Sequence, residues 1–187
     1  MASGKVPTAI GGRLGRYAVA GAVLLGGLAL LAAALLALLA LTDPFDDPPH
    51  PSDAAMLEQF RRQRPALEAL VGMIGQDGGI QRLALDFTRP EPAPITAERL
   101  ADYRARLEAA GVAHGFAHYG DPIEFIVSTR GLAISGSGKS FVYAAQPHPD
   151  ATVTDGDLDA AVGTLTDKDV LLQRRIDDNW WLQLDRR

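Results

Sequence analysis

The sequence contains no cysteine, which excludes disulfides, cysteine-ligated zinc, thiol nucleophiles and a lipid-modified cysteine anchor. No serine sits in a G-x-S-x-G elbow, and no carboxylate pair is spaced to nominate an acid and a base. With 187 residues, the chain is too short for a large multidomain enzyme. Charge is absent in blocks. Residues 1–16 carry Lys5, Arg13 and Arg16 but no acid, and residues 17–41 carry no charge at all. The remainder holds all 23 acids but 15 of the 18 bases, the other three lying upstream. That acidic balance excludes a strongly basic nucleic-acid binder, whose phosphate-neutralising surface needs the opposite sign.

What is present first is an apolar run. Tyr17 to Leu41 forms 25 residues without a charge or an amide; as a helix it is about 37 Å long, against a hydrocarbon core of about 30 Å. The alternative is a cleaved signal peptide. Its apolar core is only about 7–15 residues long, and a cut after Ala40 would put Leu38 where a small residue is needed. The expectation is an uncleaved transmembrane helix, contacting the lipid bilayer through residues 17–41. Bases before the span and Asp43, Asp46 and Asp47 after it place the N-terminus inside. The implied location is the cytoplasmic (inner) membrane, single-pass, with the domain outside the cytoplasm. Ala18, Ala22 and Gly26, and Ala29, Ala33 and Ala37, recur four apart, a spacing that admits a homodimer through this helix.

Four segments follow: a basic tail over 1–16, the span over 17–41, a proline-rich spacer over 42–51 and a domain over 52–187. From Ser52 or Asp53 the pattern turns helical, with Met56, Phe60, Gln63, Leu67, Leu70, Val71 and Ile74 on one stripe. Pro65 predicts a kink or a second helix. Residues 80–87 alternate like a half-buried strand. Thr96 caps a helix whose Leu100 packs back on Ile95, and Gly111 suits its end. Strands follow over 112–119, 123–129, 132–135 and 140–145, then a hairpin over 170–184 turning at Asp177-Asp178-Asn179. The fold class is α+β, with an N-terminal transmembrane helix followed by two helical elements packed on an antiparallel sheet.

The segment from Ala133 to Ser140 fits a relaxed phosphate-loop pattern. A true phosphate loop opens a helix at its lysine, whereas Phe141-Val142-Tyr143 follows here and reads as strand. No nucleotide partner is expected. His114 and His118 on a strand lie about 13 Å apart at about 3.3 Å per residue, too far to share a metal. Asp155, Asp157 and Asp159 open like a calcium loop, but Ala160 and Thr166 stand where a glycine and a glutamate are needed. They read as the acidic start of a short helix. No metal or cofactor is expected. Trp180 and Trp181 face opposite sides of a strand, so Trp181 is a candidate binding anchor unless another element covers it.

The run from Ile123 to Lys139, with Ile176 to Trp180, resembles a group of bacterial envelope proteins, membrane-anchored or lipoprotein-like, without an established activity. Their pattern is G-L-x-x-S-G-S-x-K, then an N-W-x-L hairpin, matched by Gly131, Leu132, Ser135, Gly136, Ser137, Lys139, Asn179, Trp180 and Leu182. The resemblance implies that the Ser-Gly-Ser-Gly-Lys segment belongs to an antiparallel sheet. The functional expectation is a membrane-anchored, extracytoplasmic binding domain of unknown ligand, in its sharper form an inhibitor or immunity-type protein with a basic protein as partner. Nucleic acid is not among the expected partners. The rival is an envelope-acting hydrolase. Candidate binding residues are Arg130, Ser135, Ser137, Lys139 and Trp181, the first four of which would also gather in the hydrolase site.

Overall fold

The computed structural model describes residues 27, 30–37, 48–131, 136–166 and 169–187. The chain divides into two units, Met1–Asp46 and Asp47–Arg187. In the first, residue 27 and residues 30–37 are helical. Among the described residues no helix is long and apolar enough to cross a membrane. This corrects the expected transmembrane helix, and with it the single-pass inner-membrane location and its orientation. Most of the 17–41 run lies outside the described residues.

Among the described residues, the second unit holds eight strands in one mixed sheet, ordered β2-β1-β3-β4-β5-β8-β7-β6. The strands are β1 (Arg82–Leu83), β2 (Thr88–Arg89), β3 (Phe116–Ala117), β4 (Ile123–Arg130), β5 (Ser137–Tyr143), β6 (Thr152–Val153), β7 (Val170–Asp177) and β8 (Trp180–Arg186). All neighbours are antiparallel except β6 and β7, which run parallel. Among the described residues of this unit, three helices accompany them, α1 (Asp53–Asp77), α2 (Ala97–Ala109) and α3 (Leu158–Gly163). The expected two helical elements on a wholly antiparallel sheet are corrected accordingly. The chain returns through α3 between β6 and β7, and a strand rejoined after a helical crossover pairs parallel.

Alternation along the central strands sorts side chains onto two faces. Phe125, Phe141, Trp180, Leu182 and Leu184 join Met56, Phe60, Leu67 and Leu70 of α1 and Tyr103 and Leu107 of α2 in one core. Phe60 is its keystone, with ring centroids 5.7 Å from Phe141 and 5.4 Å from Trp180. The other face carries Glu124, Ser140, Val142, Trp181, Gln183 and Gln173, and among the described residues no helix of that core joins it.

Local chemistry explains most boundaries. Ser52 caps α1 by accepting from Ala55 N–H at 3.2 Å, and Thr96 caps α2 from Arg99 N–H at 3.2 Å. The expected break at Pro65 does not occur: α1 runs through it to Asp77. Pro65 is exposed, so the carbonyl it leaves without a helical donor can be hydrated. The expected strand over 80–87 shrinks to β1, because Ala84 N–H donates to Phe87 O at 2.9 Å and folds the segment into a tight turn. Leu85 and Phe87 consequently stay exposed. Gly115 has φ +74°, and a Cβ there would lie 1.8 Å from Leu83 O; only glycine lets β3 approach β1 so closely.

Candidate functional site

The start of α1, the start of α3 and the middle of β5 meet around one cation. Lys139 is completely buried. Its Nζ donates to Asp53 Oδ1 at 2.7 Å and Pro51 O at 3.0 Å, and lies 2.6 Å from Asp159 Oδ1. Three partners use all three ammonium protons. The two helix starts also cap each other: Leu158 N–H donates to Asp53 Oδ2 at 2.7 Å, and Asp53 N–H donates to Asp159 Oδ2 at 3.2 Å. Each carboxylate thus meets the positive end of the other helix, while Arg174 approaches Asp53 to 4.0 Å. Oxygens of Asp53, Asp157 and Asp159 lie within 4.8 Å of one another, but Lys139 already supplies the cation there. Asp157 caps α3 through Ala160 N–H at 2.9 Å, as the acidic start of a helix should.

Beside this cluster a second constellation forms at the end of the β4–β5 hairpin. A bulge between Ile126 and Ser128 breaks the alternation of β4, so Ser128 pairs with Lys139 and shares its face instead of that of Ile126. Ser128, Arg130, Ser137 and Lys139 therefore gather on one side of the sheet end. His50 bridges two of them: Nδ1 lies 2.8 Å from Ser128 Oγ and Nε2 lies 2.7 Å from Ser137 Oγ. Its pKa sits below the ordinary 6.5, chiefly through burial, then through the positive charges of Lys139 and Arg130, with Asp159 opposing. The imidazole is held neutral.

On the open face, polar side chains form a ladder across four strands. Ser140 Oγ donates to Glu124 Oε1 at 2.7 Å, Gln183 Nε2 to the same oxygen at 3.0 Å, and Gln173 Nε2 to Gln183 Oε1 at 2.7 Å. His148 N–H closes it on Gln173 Oε1 at 2.8 Å. Three cavities of about 610, 550 and 430 Å3 open along this face, and Glu124 lines all of them. Asp121 borders the first, Asp150 and Asp169 the second, and Asp185 the second and third.

The residues singled out in the sequence are divided by this geometry. Arg130 and Ser137 line the 430 Å3 cavity. Lys139 does not reach it: burial and a full set of partners make it a structural cation rather than a binding group. Its mid-strand position also departs from the lysine of a phosphate loop. Ser135 lies outside the described residues. Trp181 is 5% exposed, packed with Val142 and Ala144, and its Nε1–H donates to Ala144 O at 3.0 Å. It is therefore not an exposed anchor. His50 and Glu124 were not legible as site residues. His50 stands among prolines with no spacing that points to a serine 87 positions later, and Glu124 reads as one polar position in an alternating strand. No protein family matches the chain, and no curated protein or solved structure does so.

Proposed function

We propose that the 47–187 unit is a binding domain that receives a basic, extended segment of a partner protein along the open face of its sheet. The observation carrying this reading is the meeting of three cavities at Glu124 beneath an acidic rim of Asp121, Asp150, Asp169 and Asp185. The cations bordering the second cavity are already engaged: Arg187 Nη2 lies 3.2 Å from Asp185 Oδ2, and Arg186 donates to Val162 O and Leu165 O. Exposed Tyr119, with Pro122, Pro147 and Pro149, gives the first cavity a flat apolar wall. An extended chain lays alternate side chains against such a floor, and its cations meet the rim. At 0.15 M ionic strength the Debye length is about 8 Å, so these near carboxylates act on a docked segment while distant charge does not.

The test is titration of the full chain with a fluorescent octapeptide of alternating arginine and glycine, and with its glutamate counterpart. Saturable binding of the arginine peptide is expected, with association slowed by salt. An Asp121→Asn, Asp150→Asn, Asp169→Asn triple variant should bind at least about tenfold more weakly, since three rim contacts at about 0.5 kcal/mol each are lost. Absence of binding, equal binding of the glutamate peptide, or an unchanged triple variant would overturn the proposal.

A further inference from the structure

We infer that Glu124 makes the groove selective for lysine over arginine, because it offers a docked cation one carboxylate oxygen instead of two. The inference rests on the groove reading and names the side chain that the groove recognises.

The polar ladder beneath the groove has a direction. His148 N–H is a backbone donor, so Gln173 Oε1 must accept it, at 2.8 Å. That turns Gln173 Nε2 toward Gln183 Oε1 at 2.7 Å, and so turns Gln183 Nε2 toward Glu124 Oε1 at 3.0 Å. The Ser140 hydroxyl donates to the same oxygen at 2.7 Å. Gln173 is 1% exposed and Ser140 2%, so neither can exchange its partner for water without loss. Two donors therefore converge on one oxygen of an ionised carboxylate and hold it in a single orientation.

A carboxylate has about four lone-pair sites, two on each oxygen. Both sites on Oε1 are taken, and among the described residues no donor reaches Oε2. Arg82 stands on the same face two strands away, across Ala117. It is committed elsewhere, donating to Phe116 O at 2.7 Å and Leu83 O at 3.2 Å, with its guanidinium 5.6 Å from the Phe87 ring centroid. What Glu124 offers to a ligand in the adjoining 610 Å3 cavity is thus Oε2 alone. An arginine fork needs a lone pair on each oxygen for its strong bidentate mode, and here only one oxygen is open. A lysine ammonium is a point donor and needs no second oxygen. Its stem packs along Tyr119, Pro122, Pro147 and Pro149, beside Val142 and Ala144. The site reverses the usual advantage of arginine at carboxylates.

The experiment competes a fluorescent lysine–glycine octapeptide against the arginine–glycine octapeptide on the full chain. The lysine peptide should bind at least about fivefold more tightly, the net worth of one hydrogen bond. Glu124→Gln keeps an oxygen for Ser140 and Gln183 while deleting the charge, and should erase the preference by weakening the lysine peptide. Ser140→Ala and Gln183→Met each free one lone pair on Oε1, and one of these is the lone pair the fork needs. One of the two variants should therefore strengthen arginine binding until the peptides lie within about twofold of each other. The Asp121→Asn, Asp150→Asn, Asp169→Asn triple variant should weaken both peptides alike and keep their ratio. Equal affinity of the two peptides for the wild-type chain would overturn lysine selection and leave the groove reading standing, whereas failure of both to bind would overturn both. A preference that survives Glu124→Gln, or that neither Ser140→Ala nor Gln183→Met narrows, would overturn the role given to Glu124.

Discussion

Replacing Lys139 with methionine keeps most of the side-chain stem and deletes the ammonium, so it isolates the charge from the packing. What the substitution leaves behind sets its cost. Asp159 is 43% exposed and can turn into water, losing little. Asp53 is 1% exposed and cannot; it retains the Leu158 amide at 2.7 Å and Arg174 at 4.0 Å, while Pro51 O loses its donor. Removing one partner of a buried ion pair costs about 3–5 kcal/mol. The contacts Asp53 keeps place Lys139→Met near the lower end, about 3 kcal/mol. With a urea m-value of about 2 kcal/mol/M for a domain of this size, the denaturation midpoint should fall by about 1.5 M at unchanged slope. Adding Asp53→Asn removes the stranded charge yet keeps an amide oxygen for Leu158 N–H. The double variant should therefore recover about 1 kcal/mol or more. Urea titration of the full chain followed by far-ultraviolet circular dichroism measures both. A midpoint shift under about 0.5 M, or a double variant less stable than Lys139→Met alone, would refute the view of this cluster as a buried, charge-balanced clamp.

Phe60→Ala, which empties the space between Phe141 and Trp180, should cost about 3–5 kcal/mol, read by the same titration. Gly115→Ala should be destabilising at the upper end of about 1–3 kcal/mol, because φ is +74° and Leu83 O occupies the Cβ position; thermal melting checks it. His50 titrates below its ordinary 6.5, so between those values the unfolded chain binds a proton that the folded chain refuses. Its stabilising preference is complete above pH 6.5 and is lost as pH falls through the lowered value. Midpoints measured from pH 7.5 to 5 should show a decline that His50→Gln flattens.

Much of the local structure is readable from residue order, because its causes are local. Thr96 before Ala97, Ile95 near Leu100 and glycine at 111 specify α2 within one segment. Asp177-Asp178-Asn179 marks the β7–β8 turn, and Phe141-Val142-Tyr143 identifies strand where a phosphate loop would need helix. Features that depend on partners far along the chain are not readable. Lys139 and Asp53 are separated by 86 positions, and nothing around either names the other. Residues 48–51 read as spacer from their prolines, yet Pro51 O and the His50 ring both bond to the sheet. The alternation over 80–87 misleads for the opposite reason: a turn hydrogen bond at Ala84 overrides a good period-two pattern. The apolar run over 17–41 satisfies a length criterion that no described helix meets.

The position of β8 in the sheet governs the order in which the domain can assemble. β8 is the final strand in sequence order yet lies in the sheet interior, between β5 and β7. It carries Trp180, against which Phe60 of the first helix in the domain rests. Until β8 arrives, β5 presents an unpaired edge, and the apolar stripe of α1 faces water or whatever else is near. Pairing Phe141 with Leu182 closes a long loop, and joining Asp53 to Leu158 closes one of 105 positions, so chain entropy opposes both until several contacts form together. A ribosome-bound chain stalled before β8 would thus hold a sticky helix and an open strand edge at once, inviting strand exchange between neighbouring chains on one message.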